Sequence, residues 1–201
     1  MTKIKLCGLS RICDIEWANE LQPEYIGFVF WEKSRRKVSR EEARKLKEKL
    51  SPGILAVGVF VDEDAKTVAD LLGDNIIDIA QLHGNENEEY IKTLRSMTDK
   101  KIIKAFKVKD PEDVKKAVSS TADHILLDAG MGEGKAFDHG LLKGIDRDYF
   151  LAGGLDHINI SEAVKEYKPF AVDVSSGIET DGVKDRVKMT AFVTAVRRKP
   201  T

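Results

Sequence analysis

Six short stretches of this chain carry residue types that chemistry uses, and each follows an apolar run. They are Cys7-Gly8, KSRRKVS (33–39), QLHGNE (81–86), LLDAGMGEGKAFD (126–138), AGGL (152–155) and DVSSG (173–177). A cysteine such as Cys7 can be a small apolar filler, a metal ligand, half of a disulfide or a base. Its spacing to Cys13, C-x5-C with no neighbouring Cys/His cluster, is poor for zinc, and two cysteines make no disulfide framework. Gly153, Gly154, Ser175, Ser176 and Gly177 have the composition of a phosphate cradle, because glycine lets the backbone approach an anion and backbone N–H groups then bind it. Each stretch also has a plain structural reading. Arg35-Arg36 suits a solvated loop, His83 a hydrogen-bonded loop, Asp128 a local cap and Gly153-Gly154 a turn. Their recurrence after six separate apolar runs is what favours a shared site.

The elements that would position these residues alternate along the whole length. Strands are expected at Ile4–Cys7, Tyr25–Phe30, Ile54–Val61, Ile76–Leu82, Ile102–Phe106, His124–Asp128, Tyr149–Ala152 and Phe170–Val174. Helices are expected at Arg11–Leu21, Arg40–Leu50, Asp64–Leu72, Glu88–Ser96, Pro111–Ser119, Leu141–Gly144, Ile160–Tyr167 and Asp185–Arg198. Ser39 with Glu42 forms a capping-box pattern, and Asp110-Pro111 places proline at a first helical position. Strand followed by helix, repeated eight times, predicts parallel strands with helical crossovers and an α/β fold. A (β/α)8 TIM barrel would average about 25 residues per unit here, which is compact. A doubly wound open sheet shares the alternation, although "CGLSRI" lacks the G-x-G-x-x-G fingerprint of a dinucleotide site.

The chain has 201 residues, 42% of them hydrophobic, enough for one core, so a single domain spanning 1–201 is expected. Lys+Arg 33 against Asp+Glu 34 gives a net charge of -1, with no basic footprint for nucleic acid and no polybasic membrane patch. No apolar run approaches a membrane span, and Lys3 and Lys5 interrupt any secretory core at the N-terminus. With so few cysteines, a reducing cytoplasm is the simplest location.

Taken together, KLCGLS, YIGFVF, KSRRKVS, VGVFV, QLHGNE, ILLDAG, GKAFD, LAGGL and FAVDVSSGIE resemble, in order, the phosphoribosylanthranilate isomerase family of tryptophan biosynthesis. The resemblance runs from KLCGLS to the C-terminal helix. It implies a (β/α)8 barrel and an Amadori rearrangement of N-(5'-phosphoribosyl)anthranilate to 1-(2-carboxyphenylamino)-1-deoxyribulose 5-phosphate. It implies no metal and no organic cofactor, and a monomer or homodimer whose partner is a small molecule bearing a phosphate and an anthranilate carboxylate. The family's cysteine base falls on Cys7, its aspartic acid on Asp128 and its carboxylate-recognising arginine on Arg36. Gln81, His83, Gly153, Gly154, Asp173, Ser175, Ser176 and Gly177 complete the expected substrate-binding set. The chain departs from the usual pattern at Glu32, Lys37, Glu133 and His139, and "IETDGVKD" lacks a common proline; all are loop or rim positions.

Those roles ask for shifted titrations, with Asp128 raised to keep its proton and Cys7 lowered to lose one. Strand alternation adds that if Cys7 points into the barrel then so does Lys5. A lysine there needs a carboxylate, and Asp173 on the neighbouring last strand is the expected partner. Two rival readings remain. The related sugar isomerase of histidine biosynthesis generally has an aspartate at the end of strand 1, where this chain has Cys7. A catalytically silent phosphate-binding barrel would have no need to keep both Cys7 and Asp128.

Overall fold

The computed structural model describes residues 1–128, 139–142 and 145–198. Eight parallel strands close on themselves in the order β1 to β8. They are β1 (Lys3–Cys7), β2 (Tyr25–Val29), β3 (Leu55–Phe60), β4 (Ile79–Leu82), β5 (Lys101–Lys107), β6 (His124–Asp128), β7 (Tyr149–Ala152) and β8 (Ala171–Val174). Between and after them lie α1 (Ile12–Leu21), α2 (Arg40–Glu48), α3 (Ala65–Gly73), α4 (Glu88–Arg95), α5 (Pro111–Ser119), α6 (Ile160–Tyr167) and α7 (Arg186–Arg197). Closure across β1 and β8 leaves no open edge and rules out the doubly wound sheet, which shares the strand–helix alternation but not the ring.

The local signals behave as their chemistry requires. Ser39 accepts from the Glu42 N–H while the Glu42 carboxylate accepts from the Ser39 N–H, a complete capping box on α2. Asp110 accepts from the N–H groups of Glu112 and Asp113, ahead of Pro111 at the start of α5. Two expectations need correction, and one element was not foreseen. The apolar pair Ile76-Ile77 is not part of β4: both N–H groups donate to the Leu71 carbonyl, closing α3 with buried apolar side chains. The helix expected at Leu141–Gly144 is a 3-10 turn over His139–Leu142, and Gly144 lies outside the described residues. After β8 the chain makes a 3-10 turn at Ser176–Ile178 and a two-residue hairpin, β9 (Glu179–Thr180) with β10 (Val183–Lys184), before α7. Asp181 and Gly182 both have positive φ at that hairpin's turn, which fits a tight reversal too short to leave an alternating pattern.

Alternation sorts the side chains into two cores. Outward residues such as Ile4, Leu6, Ile26, Phe28, Ile125 and Leu127 pack under the helices. Inward residues, among them Val57, Ile79, Ile103, Leu126 and Phe150, fill the barrel and make it a plug, not a pore. Phe150 is fully buried and its ring meets Tyr25 at a centroid distance of 5.3 Å. Phe150→Ala should therefore destabilise the fold by about 3–5 kcal/mol. Urea unfolding with an unchanged m-value checks this, and a loss below about 1 kcal/mol would show that the plug does not depend on that ring.

Candidate active site

The carboxyl ends of the strands surround a cavity of ≈ 420 Å³ lined by Cys7, Gln81, His83 and Asp128, by the Gly153–Leu155 turn, and by Asp173, Ser175 and Ser176. Parity explains the gathering: Leu126 belongs to the barrel plug, so Asp128, two residues on, shares its inward face. Lys5 and Cys7 are likewise both inward on β1. Gly27 makes room for the thiol, since a Cβ there would lie 2.7 Å from Cys7 Sγ.

Below the thiol, Lys5 is fully buried and its Nζ sits 2.9 Å from Asp173 Oδ1, across the register that pairs Lys5 with Asp173. The expected partner is therefore the observed one. Burial works to lower the Lys5 pKa, but Asp173 and Cys7 outweigh it and hold the ammonium charged. The expected fall in the Cys7 pKa does not occur. Burial pushes the thiol up, Lys5 opposes through its charge and a hydrogen bond, and Asp173 adds to the rise. Desolvation of the thiolate outweighs the opposing charges of Lys5 and Lys184. In Lys5→Met the larger of the opposing charges, that of Lys5 over that of Lys184, is lost and Asp173 is left to repel the thiolate. The rising limb of kcat/KM against pH should then move to higher pH than in the wild type; an unmoved limb would remove Lys5 from the electrostatics of the base.

His83 follows β4, held by a clamp on the outer side of the barrel. Buried Lys104 on β5 donates to the Gly84 carbonyl at 2.7 Å and to Glu86 Oε2 at 2.9 Å, and Glu86 in turn accepts from the Asp62 and Gly84 N–H groups. Gln81 Nε2 and His83 Nδ1 lie 2.9 Å apart. With the amide donating, the ring proton belongs on Nε2, which faces Asp128 Oδ2 at 3.9 Å, beyond direct hydrogen bonding. Burial lowers the His83 pKa, so the ring is neutral near pH 7.

Two of the expected residues stand outside the cavity lining. Arg36 lies at the rim, its stem so close to Gly8 that a Cβ there would fall 2.6 Å from Arg36 Cδ. Gly8 has φ 79, a backbone that also favours glycine. The Arg36 fork holds Glu179, Nε to Oε1 and Nη2 to Oε2, both at 2.6 Å. Gly177 sits where the loops after β7 and β8 touch, and a Cβ there would come 2.0 Å from the Leu155 carbonyl oxygen. Gly153 and Gly154 form a turn with φ 98 and 63. Of the departures from pattern, Glu32 and Lys37 pair with each other at 2.5 Å on the surface; Glu133 lies outside the described residues. Sequence reasoning missed Gly27, Glu179 and Lys184. All three lie in stretches that the sequence singles out, Gly27 in YIGFVF, Glu179 at the end of FAVDVSSGIE and Lys184 in IETDGVKD, but none of those stretches tells what the side chain touches.

A thiol and a carboxyl across one small polar mouth, beside two glycine- and serine-rich loops, define a (β/α)8-barrel enzyme built for acid–base work on a phosphorylated small molecule. Within that class the chain belongs to the N-(5'-phosphoribosyl)anthranilate isomerase family, whose model matches residues 4–195. It is 42% identical over 204 residues to the N-(5'-phosphoribosyl)anthranilate isomerase of Caldanaerobacter subterraneus subsp. tengcongensis, covering 98% of each chain. It is 44% identical to that of Clostridium acetobutylicum, covering 98% of this chain and 99% of the relative. Its fold matches the crystal structure of phosphoribosyl anthranilate isomerase from Thermotoga maritima with a TM-score of 0.89 at 34% identity, over 98% of this chain and 99% of that one. A similar match, TM-score 0.88 at 33% identity and the same coverage, is to a phosphoribosyl anthranilate isomerase in complex with reduced 1-(o-carboxyphenylamino)-1-deoxyribulose 5-phosphate. Among the described residues no helix is long and apolar enough to cross a membrane.

Proposed function

We propose that this chain performs its family's isomerisation with Asp128 as general acid and Cys7 as general base, on a substrate stretched between Arg36 and the loops after β7 and β8. The observation that carries the assignment is that both groups line one cavity, approached from β1 and β6. Asp128 gives its proton to the ribose ring oxygen as the C1'–O bond breaks, and the anthranilate nitrogen supplies the electrons to form an iminium. That cation acidifies the C2' proton, which the Cys7 thiolate removes, and the C–H electrons flow to nitrogen to give an enolamine. Return of a proton from the Cys7 thiol to C1', with the 2'-hydroxyl proton passing to the Asp128 carboxylate, gives the ketone and restores both groups. The iminium is an internal electron sink, so the scheme uses only the substrate and these side chains.

The remaining residues bind and orient. Gly153, Gly154, Ser175, Ser176 and Gly177 suit the phosphate, because a turn without Cβ atoms lets main-chain N–H groups approach it. Among the described residues Gln81 Oε1 is buried without a hydrogen-bond partner, and a substrate hydroxyl would satisfy it. His83 and Asp173 face the same cavity and complete the polar wall. A relative from Thermotoga maritima is described as dimeric, and for this chain a monomer or homodimer with the site complete in each copy fits the reading. The test is to generate the unstable substrate in situ and follow the loss of anthranilate-type fluorescence. First-order loss proportional to enzyme supports the assignment; saturable binding without turnover would identify a silent phosphate-binding barrel instead.

A further inference from the structure

We infer that Glu179 and Lys184 are positioning residues that join the two anion-binding ends of the site, so that an anion at one end tightens binding at the other. The inference rests on the function proposed above, since it takes Arg36 as the carboxylate end and Ser175 with its neighbours as the phosphate end. A continuous chain of bonds connects them. The Arg36 fork holds both oxygens of Glu179 at 2.6 Å, and Glu179 Oε1 also accepts from Lys184 Nζ at 2.5 Å. Lys184 Nζ donates further to the Ser175 carbonyl at 2.9 Å, and the Ser175 hydroxyl donates to the Cys7 carbonyl at 3.2 Å. Lys188 Nζ fixes the Glu179 carbonyl at 2.6 Å, and Arg11 Nη2 fixes the Lys184 carbonyl at 2.6 Å, so the hairpin cannot shift without breaking both.

Charge gives this unit its affinity for anions, while the coupling between its two ends comes from ordering. Glu179 and Lys184 are 8% and 4% exposed, so water screens them little. Burial works against the Glu179 carboxylate, but the bonds from Arg36 and Lys184 hold it below the ordinary carboxylate range. An Arg36–Glu179 pair alone would be neutral and a poor attractor for an incoming carboxylate. Lys184 leaves the unit with two cations against one anion, a net positive charge between the two ends. The three side chains order one another, and a buried network of this kind is stiff only when every member is satisfied. An anion that orders Ser175 therefore lowers the ordering cost at Arg36, and linkage requires the reverse effect to be equal.

Anthranilate fluorescence titrations of the intact protein, with and without saturating inorganic phosphate, test the inference. In the wild type, phosphate should tighten anthranilate binding about tenfold, within the ordinary range of such couplings, and anthranilate should tighten phosphate by the same factor. In Glu179→Gln the factor should fall to within about twofold of one, and KM for the full substrate should rise more than kcat falls. Lys184→Met cuts the same chain from the other side and should behave alike, which guards against one variant failing to fold. Wild-type binding of the two ligands with no mutual effect, or equal coupling in wild type and variants, overturns the inference. A wild type that neither turns over nor binds either ligand overturns the proposed function instead.

Discussion

Asp128→Asn should lower kcat by about 10²–10⁴-fold, the usual contribution of a positioned general acid. The amide is nearly isosteric and stays on the inward face of β6, so the cavity wall keeps its shape. What it cannot do is surrender a proton to the ring oxygen as the C1'–O bond breaks. His83 offers no substitute, because burial keeps its ring neutral and its Nε2 is 3.9 Å from Asp128 Oδ2. Binding of a stable product analogue should change little, so the loss should fall on kcat. Single-turnover rates of wild type and variant separate this from slow product release. Activity within about threefold of wild type would place the proton donor elsewhere.

Cys7→Ala should produce a loss of similar size, about 10²–10⁴-fold in kcat, for the opposite proton transfer. The ring-opened iminium still forms, but the thiolate that would take its C2' proton is gone. Burial already sets the thiol above its ordinary pKa, so the wild-type rate should climb with pH as the thiolate forms. The alanine variant should show no such climb. Retention of a wild-type pH limb in Cys7→Ala would mean that the titrating base is another residue.

The sequence made the ring of strands and most of its rim legible because parity and periodicity are local properties. Once Cys7 is placed on the inner face of β1, Lys5 must follow, and the search for its counter-ion leads to Asp173 on the strand that closes the barrel. The misread elements share a different cause. Ile76 and Ile77 are apolar and β-branched, yet tertiary packing at the end of α3 claims them before β4 begins. The β9–β10 hairpin is two residues a side, too short for any alternation to register. The thiol's pKa escaped for a third reason: desolvation depends on everything packed around a group, whereas a spacing argument sees only the charges it can name. Arg36 lies at the rim beside Gly8, but its bond to Glu179 joins residues 143 positions apart and leaves no local trace.

The Lys5–Asp173 pair has a consequence for what this barrel can be made to accept. It lies directly beneath the thiol, with the apolar plug around Leu126 and Phe150 deeper still, and so acts as a floor. Digging below it would strand one buried ion, a loss of about 3–5 kcal/mol. A bulkier ligand can therefore gain space only sideways or upward, among the loops. Selection or engineering for new substrates should accumulate changes in those loops while the ion pair stays fixed.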